Sequence, residues 1–437
     1  MDRPLVAGWQ CVVCGATADI GQPFTWRCPN ATATDRHHSL QLVQGASTLV
    51  STGEANPFLA FRSHLAWDGF AAAHGVTPAA RRAMVAELDA QVSSVAGTGF
   101  ATTPFERADA LSTELKFGGN GGVWVKDETR NVAGSHKARH LFTILLHLRA
   151  AEQLGLAEWP QRPPLAIASC GNAALAAATL AAAVSWPIRV FVPPSASAVV
   201  TARLRDLGAT VEVCPRLPAD PPGDPCVHRF REAVAAGAMP FSVQGPENAW
   251  CLDGGRTIGW EMAQQTAACS AGLGDGADGG FDRLFVQVGG GAFAASVAAG
   301  LRMADALPRL HAVQTDACAP LARAWDRSLA LGGARRAGEH WTECMWPWEH
   351  VGTSAADGIL DDETYDWLPV LAAMADSGGS PVVAGEPHVL AANELGRRTT
   401  GIDASHTGTA GLAGLLAMRD QLRPDERVAV VFSGVRR

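Results

Sequence analysis

One lysine of this chain stands where an exposed lysine would be unusual. The stretch NVAGSHKARH, residues 131–140, places Lys137 directly after a Gly-Ser-His turn and at the start of the apolar run LFTILLHL, which must be buried. A lysine that a tight turn delivers to a buried edge has either lost its charge or found an anion. A neutral amine can act as a nucleophile or a base, and a charged amine can bind an anionic group. Both outcomes therefore suit chemistry at Lys137.

Three more turns follow apolar segments that are predicted to be buried strands. In an open parallel sheet, ligands bind beyond the carboxyl ends of the strands. The three turns are Ser169-Cys170-Gly171-Asn172, Gly289-Gly290-Gly291-Ala292 and Ser433-Gly434.

The triple glycine lies between the apolar segment RLFVQV and an Ala-rich helix. Bare backbone amides at the start of a helix bind anions, which would make Gly289, Gly290, Gly291 and Ala292 a phosphate loop. A tight strand-to-helix turn explains the same glycines equally well. The spacing matches neither the Walker A motif nor the dinucleotide fingerprint, so it does not indicate a nucleotide.

The four turns together have one obvious ligand. Pyridoxal phosphate needs a lysine for its Schiff base, a cradle for its phosphate, and partners for its ring oxygen and ring nitrogen. Lys137, the glycine loop, Asn172 and Ser433 supply these groups. The residues therefore favour pyridoxal phosphate as the cofactor.

The elements that would position these residues alternate between strand and helix from residue 164 onward. LAIAS, IRVFVPP and ATVEVC are predicted strands, and residues 173–184 and the segment SAVVTARLRDLG are predicted helices. RLFVQVGGG, HAVQTD and RVAVVFSG are further predicted strands. This pattern predicts an α/β fold of mostly parallel sheets covered by helices.

The first segment, residues 1–44, is predicted to be a small ribbon-like unit. It contains Cys11, Cys14 and Cys28, but a full zinc ribbon would show a second cysteine pair. One interpretation is a zinc site of these cysteines, with His37 or His38 as the fourth ligand. The other is a degenerate ribbon whose cysteines pack as small hydrophobic residues. Residues 45–437 are predicted to form the catalytic domain, with a smaller α/β subdomain at about 138–250.

Composition excludes several classes of function. The 437 residues carry a net charge of −8, which argues against nucleic-acid binding. The longest apolar run, residues 173–184, is too short to cross a bilayer. The amino terminus has no secretion signal and the ten cysteines are scattered, so free thiols in the cytoplasm are expected.

Six ordered motifs resemble the pyridoxal-phosphate enzymes of fold type II, the tryptophan-synthase-β-like group, over about residues 102–434. Within that group the chain is most similar to threonine synthases and threonine/serine dehydratases. The motifs are KDETRNVAGSHKARH, SCGNAA, LDGGRTIGWEM, VGGGAFAAS, TSAADGI and VVFSG.

The resemblance implies two subdomains, a small amino acid as substrate, a homodimer, and a role for each motif residue. Lys137 would carry the Schiff base and act as base at Cα. Ser169, Cys170, Gly171 and Asn172 would bind the substrate carboxylate, and Asn172 would also bond the ring oxygen. The loop of residues 289–292 would hold the phosphate. Ser433 would meet the pyridine nitrogen with a neutral hydroxyl, which favours elimination over transamination.

These roles predict a lyase that eliminates at Cβ of a hydroxy amino acid such as threonine or serine. The main alternative is a threonine-synthase-like or other replacement enzyme that uses a phosphorylated or acylated amino acid. Ala138 and His136 depart from the threonine synthase pattern, whereas the ribbon-like start favours it. A catalytically silent metal-binding protein is a further alternative, which the intact lysine disfavours. A nicotinamide dehydrogenase is another, which the spacing of the glycines disfavours.

Overall fold

The computed structural model describes residues 5–45, 48–157, 159–270 and 280–437. Its strands, in chain order, are β1 Val6–Cys11, β2 Thr17–Asp19, β3 Leu40–Gln44, β4 Phe105–Arg107, β5 Gly122–Asp127, β6 Leu165–Ala168, β7 Ile188–Val192, β8 Thr210–Val213, β9 Met239–Pro240, β10 Arg283–Gln287, β11 Arg309–Thr315, β12 Ser380–Ala384 and β13 Arg427–Phe432.

The α-helices alternate with these strands through most of the chain. They are α1 Pro57–Ala60, α2 Ala66–Ala73, α3 Pro78–Ala96, α4 Asp109–Glu114, α5 Lys137–Gln153, α6 Asn172–Ala183, α7 Ala198–Asp206, α8 Pro225–Ala235, α9 Trp250–Ser270, α10 Ala292–Met303, α11 Pro320–Ala330, α12 Trp341–Cys344, α13 Trp367–Ser377, α14 Glu386–Thr400 and α15 His406–Ala417.

The chain divides into two compact units. Unit 1 comprises residues 1–101, 131–133 and 137–255, and unit 2 comprises residues 102–130, 134–136 and 256–437. The chain therefore passes between the units on both sides of residues 134–136, directly before Lys137. The predicted boundary at residue 44 and the predicted subdomain at 138–250 stay predictions.

Unit 1 contains two sheets. The strands of the first 44 residues form an antiparallel sheet in the order β2-β1-β3, and the second sheet is parallel in the order β8-β7-β6-β9. Helix α6 packs against α5, and its alanines are buried almost throughout. Small side chains allow this close contact between helices, so the Ala-rich sequence suits a buried helix.

Unit 2 contains a six-stranded sheet in the order β12-β11-β10-β13-β5-β4. All its neighbouring strands are parallel except β4, which pairs antiparallel with β5 at one edge. Strands β10 and β13 are adjacent, and the residues of β13 after Arg427 are fully buried. The predicted α/β fold with mostly parallel sheets is confirmed.

Candidate functional site

The glycine loop follows β10 and leads into α10. Gly291 is the N-cap of that helix and adopts φ 93° and ψ −23°, a left-handed conformation that favours glycine. An added Cβ at Gly289 would collide with Asp361, 2.3 Å from its Oδ2, and one at Gly290 would be crowded by Tyr365, 3.1 Å from its Cδ2. The glycines are thus required by the turn and by packing, and they leave backbone amides at the start of a 12-residue helix.

Ser433 directly follows β13, at the same edge of the sheet as the glycine loop, because β10 and β13 are parallel neighbours. The serine is only 3% exposed. Its Oγ accepts a hydrogen bond from the backbone N–H of His136 at 3.1 Å and lies 2.6 Å from Nδ1 of the same residue. The imidazole of His136 stacks on Phe293, with ring centroids 3.9 Å apart and planes 17° apart. Because Phe293 follows Ala292, the stack joins Ser433 to the helix of the glycine loop.

The residues before the lysine are fixed to the end of β13 at a second point. The carbonyl of Gly134 accepts a 3.0 Å hydrogen bond from the N–H of Val435. Ala133 and Gly134 both have positive φ, 56° and 70°, so the chain turns sharply here. An unfavourable backbone at Ala133 must be held by its surroundings, and such residues cluster at functional sites.

Lys137 is the first residue of α5 in unit 1 and is half-buried. One turn further along, His140 is fully buried and its Nδ1 lies 2.8 Å from the carbonyl of Cys251. Burial, with a smaller contribution from Lys137, lowers the pKa of His140 to about 3. The imidazole is therefore neutral at physiological pH and adds no charge beside the lysine. Helix α9 approaches α5 closely, since an added Cβ at Gly254 would lie 1.9 Å from the carbonyl oxygen of Arg139.

The predicted substrate loop forms one turn between β6 and α6. Ser169 and Asn172 are half-buried and Cys170 is exposed. Gly171 is the N-cap of α6 and Asn172 is its first residue. An added Cβ at Gly171 would meet no atom within 4 Å, so this glycine leaves open space in front of the helix. Lys137 and Asn172 thus begin two helices that pack together in unit 1.

The chain has three lysines, and the other two are unsuited to a Schiff base. Lys116 is exposed. Lys126 is completely buried, and its Nζ donates hydrogen bonds to Glu261 Oε2 at 2.6 Å, to Gln265 Oε1 at 2.9 Å and to the carbonyl of Thr103 at 2.8 Å. This ion pair gives a structural reason for the presence of Lys126 and Glu261. Both residues nevertheless belong to motifs that carry the family resemblance.

The amino-terminal cysteines also come together. The thiols of Cys11, Cys14 and Cys28 and the imidazole of His38 form one group whose donor atoms lie within 4.8 Å of one another. Of the two histidines that the sequence offered as a fourth ligand, His38 is in this group.

The contact between His136 and Ser433 was not predicted from the sequence. Its only signal was that a histidine occupies the position before the lysine, where many family members have phenylalanine. A pattern of residues cannot show which partner a side chain meets when the two residues lie 297 positions apart in the chain.

A family profile matches the part of the chain that contains these turns. The sequence profile of the pyridoxal-phosphate dependent enzyme family matches residues 97–434. A search of curated protein sequences gives no match. In the parts of the chain that the structure describes, every helix is too short or too polar to span a bilayer.

Several solved structures are similar to this chain in fold. The processed form of threonine deaminase isoform 2 from Solanum lycopersicum is 18% identical, with a TM-score of 0.56 over 82% of this chain and 90% of that chain. Maize serine racemase is 14% identical, with a TM-score of 0.56 over 80% and 93% of the two chains. An O-ureido-L-serine synthase is 18% identical, with a TM-score of 0.55 over 79% and 91%.

The family match covers the lysine turn, the substrate loop, the glycine loop and Ser433 in a single span of the chain. Its members use pyridoxal phosphate, the cofactor that these four turns favour. The chain therefore belongs to the family of pyridoxal-phosphate-dependent enzymes.

Proposed function

We propose that this enzyme eliminates the hydroxyl group from Cβ of a hydroxy amino acid, threonine or serine, and releases the 2-oxo acid and ammonia. The observation that carries the proposal is the neutral hydroxyl of Ser433 at the end of β13, held by His136. A carboxylate in this position would stabilise a protonated pyridine nitrogen, whereas a hydroxyl does not.

The residues present fit pyridoxal phosphate. Gly289, Gly290 and Gly291 carry no side chains at the start of α10, where backbone amides would bind a phosphate. Lys137 is half-buried at a helix start, and the other two lysines are exposed or already in a buried ion pair. When bound, the cofactor supplies a carbonyl for the Schiff base and an electron sink for the electrons of Cα.

Lys137 would attach the cofactor and then, as a free amine, take the proton from Cα of the substrate. The amides of the Ser169–Asn172 loop would bind the substrate carboxylate, and the side chain of Asn172 would bond the ring oxygen. Neutral His140 adds no charge one turn away from the lysine.

The hydroxyl of Ser433 has one hydrogen to give. Its oxygen already accepts the backbone N–H of His136, so the hydrogen points either to Nδ1 of His136 or to the ring nitrogen. If His136 carries its proton on Nδ1, the imidazole also donates to Oγ and directs the hydroxyl hydrogen at the ring. His136 would then be a positioning residue for Ser433.

A β- or γ-replacement reaction is the second candidate, and its support is the similarity of fold to an O-ureido-L-serine synthase. It differs from elimination in the leaving group and in the use of a second substrate. It would use a phosphorylated or acylated amino acid.

A panel of substrates tests the proposal. The purified protein is supplied with pyridoxal phosphate and incubated with L-threonine, L-serine, O-acetylserine and O-phosphohomoserine. Release of 2-oxo acid from free threonine or serine is expected. Phosphate from O-phosphohomoserine without any 2-oxo acid would support replacement, and a D-amino acid as the main product would indicate racemisation instead.

A further inference from the structure

The three cysteines and His38 have the geometry of a closed metal site. Cys14 Sγ lies 3.6 Å from Cys28 Sγ, and Cys11 Sγ lies 3.4 Å from His38 Nδ1. Zinc–sulfur bonds of about 2.3 Å and zinc–nitrogen bonds of about 2.0–2.1 Å in a tetrahedron require donor atoms about 3.6–3.8 Å apart. These two separations are close to those values, and all four donor atoms lie within 4.8 Å of one another. The distance between Cys14 Sγ and Cys28 Sγ is far longer than the roughly 2.0 Å of a disulfide.

The local backbone delivers the ligands to one point. Cys11 is the last residue of β1, and the N–H of Gly15 bonds to its carbonyl at 3.0 Å. Gly15 has φ 72°, a conformation that turns the chain directly after Cys14. His38 lies two residues before β3, and the N–H of Val12 bonds to the carbonyl of Ser39 at 3.0 Å. Adjacent antiparallel strands therefore bring together the cysteine turn and the histidine.

Two side chains orient the ligands from outside the group. Asp35 Oδ2 lies 3.2 Å from Nε2 of His38, which leaves Nδ1 facing the cysteines. Asn30 Nδ2 donates to Cys14 Sγ at 3.3 Å. A carboxylate on the far nitrogen of a histidine is the usual outer partner of a zinc ligand, because it fixes the ring and its tautomer.

We propose that Cys11, Cys14, Cys28 and His38 bind one structural Zn²⁺ ion. Thiolate and imidazole donors in a tetrahedron select zinc over harder ions such as Mg²⁺ and Ca²⁺. Four protein ligands close the coordination shell, so the ion supports the fold and leaves no position for a substrate. Binding replaces the thiol protons, which pass to solvent.

The ion would hold the loop between Cys14 and Cys28 in place, and this loop contacts the core of unit 1. The carbonyls of Thr25 and Trp26 accept hydrogen bonds from Trp250 Nε1 at 2.9 Å and from the N–H of Ala249 at 2.7 Å. The rings of Trp26 and Trp250 meet edge to face at 5.6 Å.

Trp250 in turn contacts the helix that begins at Lys137. It stacks on His147 of α5 at 4.1 Å, and its carbonyl accepts a 2.8 Å hydrogen bond from Thr143 Oγ1 of the same helix. The segment that ends at Cys28 is therefore packed, through one tryptophan, against α5. Metal loss is expected to loosen this packing and to lower the stability of unit 1.

Metal content and the spectrum of a substituted ion test the proposal. Wild-type protein from zinc-supplemented medium should contain one zinc per chain by elemental analysis. Replacement by Co²⁺ should give the intense visible bands of a tetrahedral site and sulfur-to-metal charge transfer in the near ultraviolet. Cys14→Ser and His38→Ala should lose the ion, and Asp35→Asn should weaken zinc binding about 10–100-fold.

His37→Ala and Cys170→Ser are the matched controls. His37 is a buried histidine next to His38, and Cys170 is an exposed cysteine like Cys14. Neither His37 nor Cys170 belongs to the group of four ligands, so both control variants should keep the zinc. Metal-free wild-type protein, a wild-type Cys14–Cys28 disulfide, or zinc retained in both ligand variants would overturn the proposal. The zinc site does not include Lys137. A protein that binds zinc but has no activity would therefore refute the proposed function and leave the zinc proposal standing.

Discussion

The imidazole of His136 holds the hydroxyl of Ser433, with 2.6 Å between Nδ1 and Oγ. The residue before the candidate Schiff-base lysine is thus bound to the residue that is proposed to meet the pyridine nitrogen. A change at His136 can therefore alter the chemistry of Ser433 without touching either the lysine or the serine.

Substitution of His136 by phenylalanine tests this relationship. His136→Phe keeps a flat ring against Phe293 and keeps the backbone N–H that bonds to Ser433, but it removes Nδ1. The loss of one hydrogen bond is worth about 1 kcal/mol, so kcat is expected to fall about five- to tenfold while thermal stability changes little.

His136→Ala is the comparison, because it removes the stacking as well and should also lower the unfolding temperature. If His136→Phe left kcat and its pH profile unchanged, the imidazole would have no role in positioning Ser433.

A carboxylate at position 433 is expected to change the type of reaction. Ser433→Asp would place a negative charge where the pyridine nitrogen is proposed to lie, which favours the protonated ring. We expect 2-oxo acid release from threonine to fall and conversion of the cofactor to its amine form to rise, measured by absorbance in single turnovers. Ser433→Ala should slow elimination without adding the second reaction. Equal amounts of the amine form in both variants would contradict the proposed place of Ser433.

The scarcity of lysine makes the covalent attachment simple to test. Borohydride reduction in the presence of pyridoxal phosphate should label a single peptide, the one that contains Lys137, among only three lysines in the chain. Lys137→Ala should lose both this label and turnover. Lys116→Ala is the control, since Lys116 is exposed and outside the site, and it should keep both. A label on Lys126 or Lys116 in wild-type protein would refute the assignment.

The sequence was sufficient to predict features that depend on local pattern. The α/β alternation, the helix that begins near Asn172 and the presence of the last strand all follow from apolar periodicity and turn residues. Strand order and long-range partners do not follow from it. The β10–β13 pairing, the choice of His38 over His37 and the His136–Ser433 contact each join residues that are far apart in the chain.

Lys126 and Glu261 show a second limit of motif matching. Both fall in motifs that resemble the family, but the structure pairs them with each other in the interior of unit 2, at 0% and 1% side-chain exposure. A residue can belong to a family motif because it supports the fold or because it takes part in the chemistry. The motif alone does not distinguish these two reasons.

Removal of one partner of this pair should be costly. Lys126→Met leaves the carboxylate of Glu261 buried without its cation, which costs about 3–5 kcal/mol of unfolding free energy. The double variant Lys126→Met with Glu261→Leu should recover much of that loss, because paired apolar side chains of similar volume replace both charges. Denaturant unfolding of the three proteins measures this. Additive losses in the double variant would show that the two side chains are not energetically coupled.

The buried histidine beside Trp250 should make unit 1 sensitive to acid. Burial lowers the pKa of His147 to about 3, from an ordinary value near 6.5, so the folded chain does not take up the proton that the unfolded chain binds. The unfolding free energy is therefore greatest above about pH 6.5, and it falls as the pH drops towards about 3, by about 1.4 kcal/mol per pH unit for this group.

His147→Phe keeps the stacking on Trp250 and removes the titration, so below about pH 6.5 the unfolding free energy of this variant should depend less on pH, by the equivalent of one proton. Denaturant unfolding between pH 4 and 7 measures the slope, with His350→Phe, at an exposed histidine, as the control. The same slope in wild type and His147→Phe would mean that His147 takes up its proton in the folded protein.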